Sequence, residues 1–424
     1  MSLSLKGQSF MKTIGATARA FSLKQHLTLA TIFAVVCVGT PSVGGETPKS
    51  LTASPVDAQP LIFGMSTALS GPAAELGINM RHGILAAFDE ATAKNRLPFN
   101  TLELIALDDG YEPARTAPNM HRLTNEHNVL AVVGNVGTPT AITAIPIAQQ
   151  TKTPFFGAFT GASALRKADS ADYVINYRAS YAEETAAMVD ALVAKGIKPE
   201  EIGFFTQNDS YGDDGFFGGL AAIRRHQPVK VSSVPHGRYR RNTSQVEDGL
   251  ADLLMHQPLP KAVIMVGTYE PCSKLVRLAR MNDFNPQFLA VSFVGADALQ
   301  RSLGDLANGI VATQVVPHFD SDLPIVCEYR DAMHDYDPDL PLSFVSLEGY
   351  VVGRILIRAV NSISGEISRS SILTALEQLG QFDIGLGTPL TLDVEDHQAS
   401  SKVWPVLINA DGSQSLSWKE LLRE

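Results

Sequence analysis

From residue 61 onward, short apolar runs alternate with stretches of helical periodicity. Leu61–Ala68 is a strand-like run closed by Leu69-Ser70-Gly71-Pro72, and residues 79–94 follow at helical spacing. Leu102–Leu107 reads as the next strand, ended by Asp108-Asp109-Gly110. Residues 113–127 read as a helix, Val129–Gly134 as a strand, 139–150 as a helix and Pro154–Ala158 as a strand. A strand followed by a helix, repeated in this way, predicts parallel βαβ units. The strands are apolar throughout, as they must be when helices cover both faces of a sheet.

The rhythm restarts after Tyr177. Residues 181–196 read as a helix, Ile202–Thr206 as a strand, Phe216–His226 as a helix and Val229–Val234 as a strand. Helix 243–256, strand Ala262–Gly267, helix 271–282 and strand Gln287–Ser292 complete a second block. A chain of 424 residues exceeds one domain of ordinary size, so two similar lobes are expected. The tail from Gly309 (a strand, helices 344–364 and 370–379, then the strand-rich stretch 389–409) must complete both.

Ahead of the first block, Lys6, Lys12, Arg19 and Lys24 precede the apolar run Leu27 to Val38, and Gly39 to Gly45 are mostly small. That order of basic, apolar and small segments reads as a secretory signal over residues 1–44, with 45–60 as a linker. The run falls short of the roughly 20 residues that span a bilayer, so an uncleaved anchor is the lesser reading. A lipid anchor at Cys37 is disfavoured by the bulk of Val36. The expected location is the periplasm or another extracytoplasmic space. The net charge of −10 argues against nucleic acid or anionic membrane as a partner. Cys272 and Cys327 fit no metal spacing and read as buried free thiols in preference to a disulfide.

In open parallel sheets, ligands bind beyond the carboxyl ends of the strands. There the first block places Ser70-Gly71-Pro72, Gly137-Thr138-Pro139-Thr140 and Thr160-Gly161-Ala162-Ser163. Small residues, hydroxyls and helix starts suit a carboxylate or phosphate, although each loop alone also reads as an ordinary capping turn. The second block places Asn208-Asp209-Ser210-Tyr211-Gly212 and Thr268-Tyr269-Glu270 there, with Arg178-Ala179-Ser180-Tyr181 between the blocks. Aromatic rings with polar tips suit an organic ligand; rim packing is the plainer alternative. The chain lacks GxSxG, HExxH and a Walker-type GxxxxGK. Gly134-Asn135-Val136-Gly137 is only part of a dinucleotide loop. Asp393, Glu395, Asp396 and His397 read as a solvated turn before they read as acid–base or metal chemistry. No catalytic residue, metal or cofactor is expected.

In order and spacing, Leu69–Pro72, Asp108–Pro113, Gly134–Thr140, Phe159–Ala162, Tyr177–Tyr181 and Asn208–Gly212 resemble the class I periplasmic solute-binding proteins of ABC transporters, branched-chain amino-acid type. The resemblance covers about residues 61 to 410. It implies an α/β fold of two Rossmann-like lobes with parallel central sheets joined by three crossovers. The lobe boundaries expected are 61–178 plus 318–388, and 179–317 plus 389–424. It implies that Thr138 meets the ligand carboxylate, with Thr140 in the same loop. Phe159, Thr160, Gly161 and Ala162 would complete that cradle, and Tyr181 would be a polar contact near the ligand amine. Tyr211 and Tyr269 would close over the ligand, and Ser70 would lie near the mouth. Two departures stand out. Phe293 takes the place of the family acid that pairs with the ligand ammonium, so the ligand lacks an α-amine or meets it elsewhere, at Asp209 or Glu270. Tyr111 and Gly137 stand where one family disulfide would be.

The expected function is therefore an exported, monomeric binding protein that closes around an amino acid or related small carboxylate and delivers it to ABC transporter permease subunits. A sensory module of the same fold, feeding a signalling partner, is the alternative.

Overall fold

The computed structural model describes residues 60–97, 101–167 and 172–421. The expected leader, and the linker up to residue 59, lie outside them.

The first sheet holds β1 (Leu61–Thr67), β2 (Leu102–Asp108), β3 (Val132–Val133), β4 (Phe155–Phe156) and β5 (Val174–Ile175). All its pairings are parallel, in the order β2-β1-β3-β4-β5. Helices α1 (Ala74–Ala93), α2 (Pro113–His121) and α3 (Thr138–Gln150) connect these strands. After the crossover come α4 (Tyr181–Ala194), β6 (Ile202–Gln207), α5 (Ser210–His226), β7 (His236–Tyr239), α6 (Glu247–Met255) and β8 (Ala262–Val266). Then follow α7 (Tyr269–Met281), β9 (Gln287–Ala290), α8 (Ala296–Leu303) and β10 (Ile310–Gln314). These strands are parallel in the order β10-β9-β8-β6-β7, which repeats the winding of the first sheet. The chain then returns to the first lobe with α9 (Pro324–Tyr336), α10 (Phe344–Ser362) and α11 (Arg369–Glu377), followed by the hairpin of β11 (Gly380–Phe382) and β12 (Leu390–Leu392). A third passage adds β13 (Trp404–Asn409) and β14 (Gly412–Ser415), antiparallel, to the second sheet beside β10.

In each sheet the winding direction reverses once, between β1 and β3 and between β6 and β8. A crevice opens outside the strand ends at such a reversal. Local chemistry fixes the elements that flank these points. Helix α4 starts with a capping box: Glu183 N donates to Ser180 Oγ at 3.2 Å, and Ser180 N donates to Glu183 Oε2 at 2.7 Å. Helices α1 and α10 pack so closely that a Cβ on Gly83 would lie 1.9 Å from the carbonyl oxygen of Ser346.

Four local expectations are corrected. The apolar run Val229–Val234 is no strand; residues 231–233 form a 3-10 turn and the strand is His236–Tyr239, whose alternating burial marks an edge. The helix expected to residue 127 ends at His121, and residues 122–126 continue it as a wider turn. Helices α8 and α9 were not foreseen. Cys272 is a buried free thiol, but Cys327 is only half-buried.

Candidate functional site

The start of α3 lies at the reversal point of the first sheet. Its first-turn amides, on Thr138 and Thr140, have no acceptor within the helix, and Pro139 has none to offer. Thr138 Oγ1 lies 2.7 Å from Thr160 Oγ1, with both side chains buried. Thr160 Oγ1 also accepts from Tyr181 OH at 3.2 Å and from Ala162 N at 3.3 Å. Gly161 admits no side chain, because a Cβ there would sit 2.6 Å from Tyr181 N. Hydroxyls, amide hydrogens and the positive end of a helix thus converge, an arrangement that stabilises a carboxylate. Thr140 is placed differently: its hydroxyl donates back to Val136 O at 2.5 Å, so only its amide is offered.

Rings enclose this point. Phe293 lies 4.7 Å from Tyr211, 5.3 Å from Phe159, 5.9 Å from Tyr111 and 6.5 Å from Tyr181, centroid to centroid. Tyr181 and Tyr211 are 5.1 Å apart. Phe159 and Tyr111 come from the first lobe, Tyr211 and Phe293 from the second and Tyr181 from the crossover; all five are buried. Tyr111 adopts a left-handed backbone with φ of +60°, and its ring fills the space where a Cβ on Gly137 would fall 2.1 Å from it. Burial pushes the phenols of Tyr111, Tyr181 and Tyr211 well above their ordinary range, so they stay neutral. The Tyr211 hydroxyl donates to Gly267 O at 2.9 Å, which leaves its ring face toward the cluster.

A buried charge group backs the rings. The Arg178 guanidinium lies 4.7 Å over the Phe159 ring, 3.6 Å from Glu184 and 3.7 Å from Glu348, and bonds Ser292. Glu184 accepts from Ser292 N at 2.7 Å and Thr313 Oγ1 at 2.5 Å. Burial raises Glu348 to about 7, partly offset by Arg178.

A strap from the second lobe grips the first. Arg241 bridges Asp209 at 2.9 Å and Glu112 at 3.0 Å, and Asn242 donates to Glu112 at 2.6 Å and Gly110 O at 3.1 Å. Gln207 Nε2 donates to Tyr111 OH at 3.0 Å. Asp209 caps α5 and serves this strap.

Two anticipated residues stand apart from the ring cluster. Ser70 sits in an exposed turn, donating to Asp108 at 2.6 Å. Burial would raise Asp108, but hydrogen bonds from Ser70, Leu69 and Arg115 outweigh it and hold the carboxyl at about 2. Tyr269, half-buried at the start of α7, contacts Glu75 across the lobes, and burial pushes its phenol to about 12. The Asp393–His397 segment is a turn: Asp393 accepts from Glu395 N and Asp396 N, and His397 lies 3.3 Å from Glu377. Sequence reasoning missed Glu184, Glu348, Gln207 and Arg241 as participants, because their partners are distant in the chain and no local spacing marks them. Arg178 was in view only as a neighbour of Tyr181.

A family model described as periplasmic binding protein matches residues 60–413. No curated protein matches the chain. Among solved structures, a possible leucine/isoleucine/valine-binding protein from Rhodopirellula baltica SH 1 is 89% identical, with a TM-score of 0.86 over 87% of this chain and 100% of its own. A substrate-binding periplasmic protein from Ralstonia solanacearum is 25% identical, with a TM-score of 0.77 over 84% of this chain and 100% of its own. A leucine-binding protein from Thermotoga maritima MSB8 is 19% identical, with a TM-score of 0.73 over 84% and 98%.

Proposed function

We propose, because the chain belongs to the periplasmic binding protein family, that it is the extracytoplasmic solute-binding component of an ABC uptake transporter. The family is one of solute binders and not of enzymes, and its location is outside the cytoplasm. The basic and apolar leader at residues 1–44 then serves export, and permease subunits are the partner to which a closed, monomeric carrier delivers its cargo.

The solute is a small carboxylate, with amino acids of the kind named for the Rhodopirellula and Thermotoga proteins inside that class. Its carboxylate docks on the Thr138 and Thr160 hydroxyls and the first-turn amides of α3 while the lobes are apart. The second lobe then brings Tyr211 and Phe293 onto the body of the solute, and the strap at Arg241 fastens the rim. Closure follows binding because the solute touches both lobes only in the closed arrangement; that difference in affinity shifts the population. One observation carries this reading: the hydroxyl pair at the start of α3, 2.7 Å apart, lies beneath a ring set drawn from both lobes.

A thermal-shift panel of amino acids and organic acids tests it. At a hundredfold excess over the dissociation constant, a bound solute should add about 2.7 kcal/mol of stability. A panel in which no carboxylate raises the melting temperature contradicts the proposal.

A further inference from the structure

The geometry points to a narrower solute class for this site: carboxylates without an amine, carrying an aryl or branched-alkyl body. The inference rests on the carboxylate-seating reading above.

An ammonium buried beside the rings needs a carboxylate free to face it, since an unpaired buried charge is strongly disfavoured. The acids around the cluster are already engaged. Glu184 is held by Ser292, Thr313 and Arg178. Asp209 receives Arg241 at 2.9 Å, Gln207 at 2.8 Å and Tyr211 N at 3.1 Å. Glu112 is shared between Arg241 and Asn242. Glu270 is exposed.

Glu348 is the one exception to test, because its Oε1 has no hydrogen-bond partner. That oxygen, however, lies 3.7 Å from Arg178 Nη1. An ammonium placed there would have to share that carboxylate with the fully buried Arg178 guanidinium, which already lies between Glu348 and Glu184. Phe293, which contacts four other rings, presents only a phenyl face at the centre of the set. A ring face attracts a cation far less than a carboxylate does. What remains is a positive helix start for the anion and apolar ring faces for the body.

Matched pairs test this on the wild-type full chain by titration calorimetry: 3-phenylpropanoate against phenylalanine, and 4-methylpentanoate against leucine. In each pair only the amine differs. The amine-free member is expected to bind at least tenfold more tightly. An amino acid that binds as tightly as its partner, or more so, overturns the inference and leaves the carboxylate site standing. If none of the four binds, this inference falls; the carboxylate reading falls with it only when no other carboxylate of the thermal-shift panel raises the melting temperature either. Phe293→Asp, with folding verified by its melting transition, should move the ratio toward the amino acid. An unchanged ratio in that folded variant overturns the part assigned to Phe293.

Discussion

Thr138 and Thr140 stand two positions apart, yet their hydroxyls face opposite tasks. Thr138 Oγ1 points to Thr160, while Thr140 Oγ1 is spent on Val136 O. Thr138→Val should weaken carboxylate binding by about 1–3 kcal/mol, the loss of a hydrogen bond to a charged group. Thr140→Val should leave the dissociation constant unchanged and lower only stability; calorimetry on both variants separates the two roles. Asp109 gives a pH-dependent prediction. It is buried, and burial raises its carboxyl to about 6 from an ordinary 3.8, against the pull of hydrogen bonds from Ser66, Tyr111 N and Thr116. Its protonated form is therefore the one the fold prefers. The stability it contributes is fully present below the ordinary value of 3.8 and is lost as pH rises through about 6. Asp109→Asn should gain on wild type by on the order of 2 kcal/mol between about pH 4 and about pH 7. Urea unfolding of both proteins at the two pH values would read this; a pH-independent difference would contradict it.

At the scale of elements, the repeating strand–helix rhythm was legible because fully apolar runs are the mark of strands covered on both faces. The edge strand β7 escaped notice, because its residues His236-Gly237-Arg238-Tyr239 alternate in burial and read as polar, while the neighbouring Val229–Val234 looked more strand-like. The strand-end loops could be placed from sequence, and Thr138, Thr160 and Tyr211 with them. The strap could not, since Arg241 joins Asp209 and Glu112 across long separations in the chain. That strap holds one lobe to the other. Arg241→Ala should raise the dissociation constant about tenfold, mostly through faster release. Stopped-flow release rates would show it, and the wild-type advantage should shrink in high salt. The crossing of α1 and α10 depends on absent side chains. Gly83→Ala would press a methyl against Ser346 O and should cost about 1–3 kcal/mol of stability in chemical unfolding.

At the scale of the whole molecule, two sheets wound in the same order set their reversal points toward each other, so the rings of one lobe complete the site of the other. The lobes also meet away from the rings: Arg301 pairs with Glu75, Phe344 N donates to Asp297 at 3.1 Å, and Ser163 N donates to Asp214 at 3.0 Å. On the proposed reading, these contacts belong to the closed arrangement. On that reading a solute reaches Thr138 only when they separate, because the hydroxyl pair and the five rings around it are buried. The proposed carrier therefore has an open form without solute and a closed form with it. Small-angle X-ray scattering of the full chain, alone and saturated with a carboxylate that raises its melting temperature, measures this directly. The radius of gyration should fall on saturation to the value of the closed arrangement; a radius that stays the same while calorimetry reports binding would contradict closure.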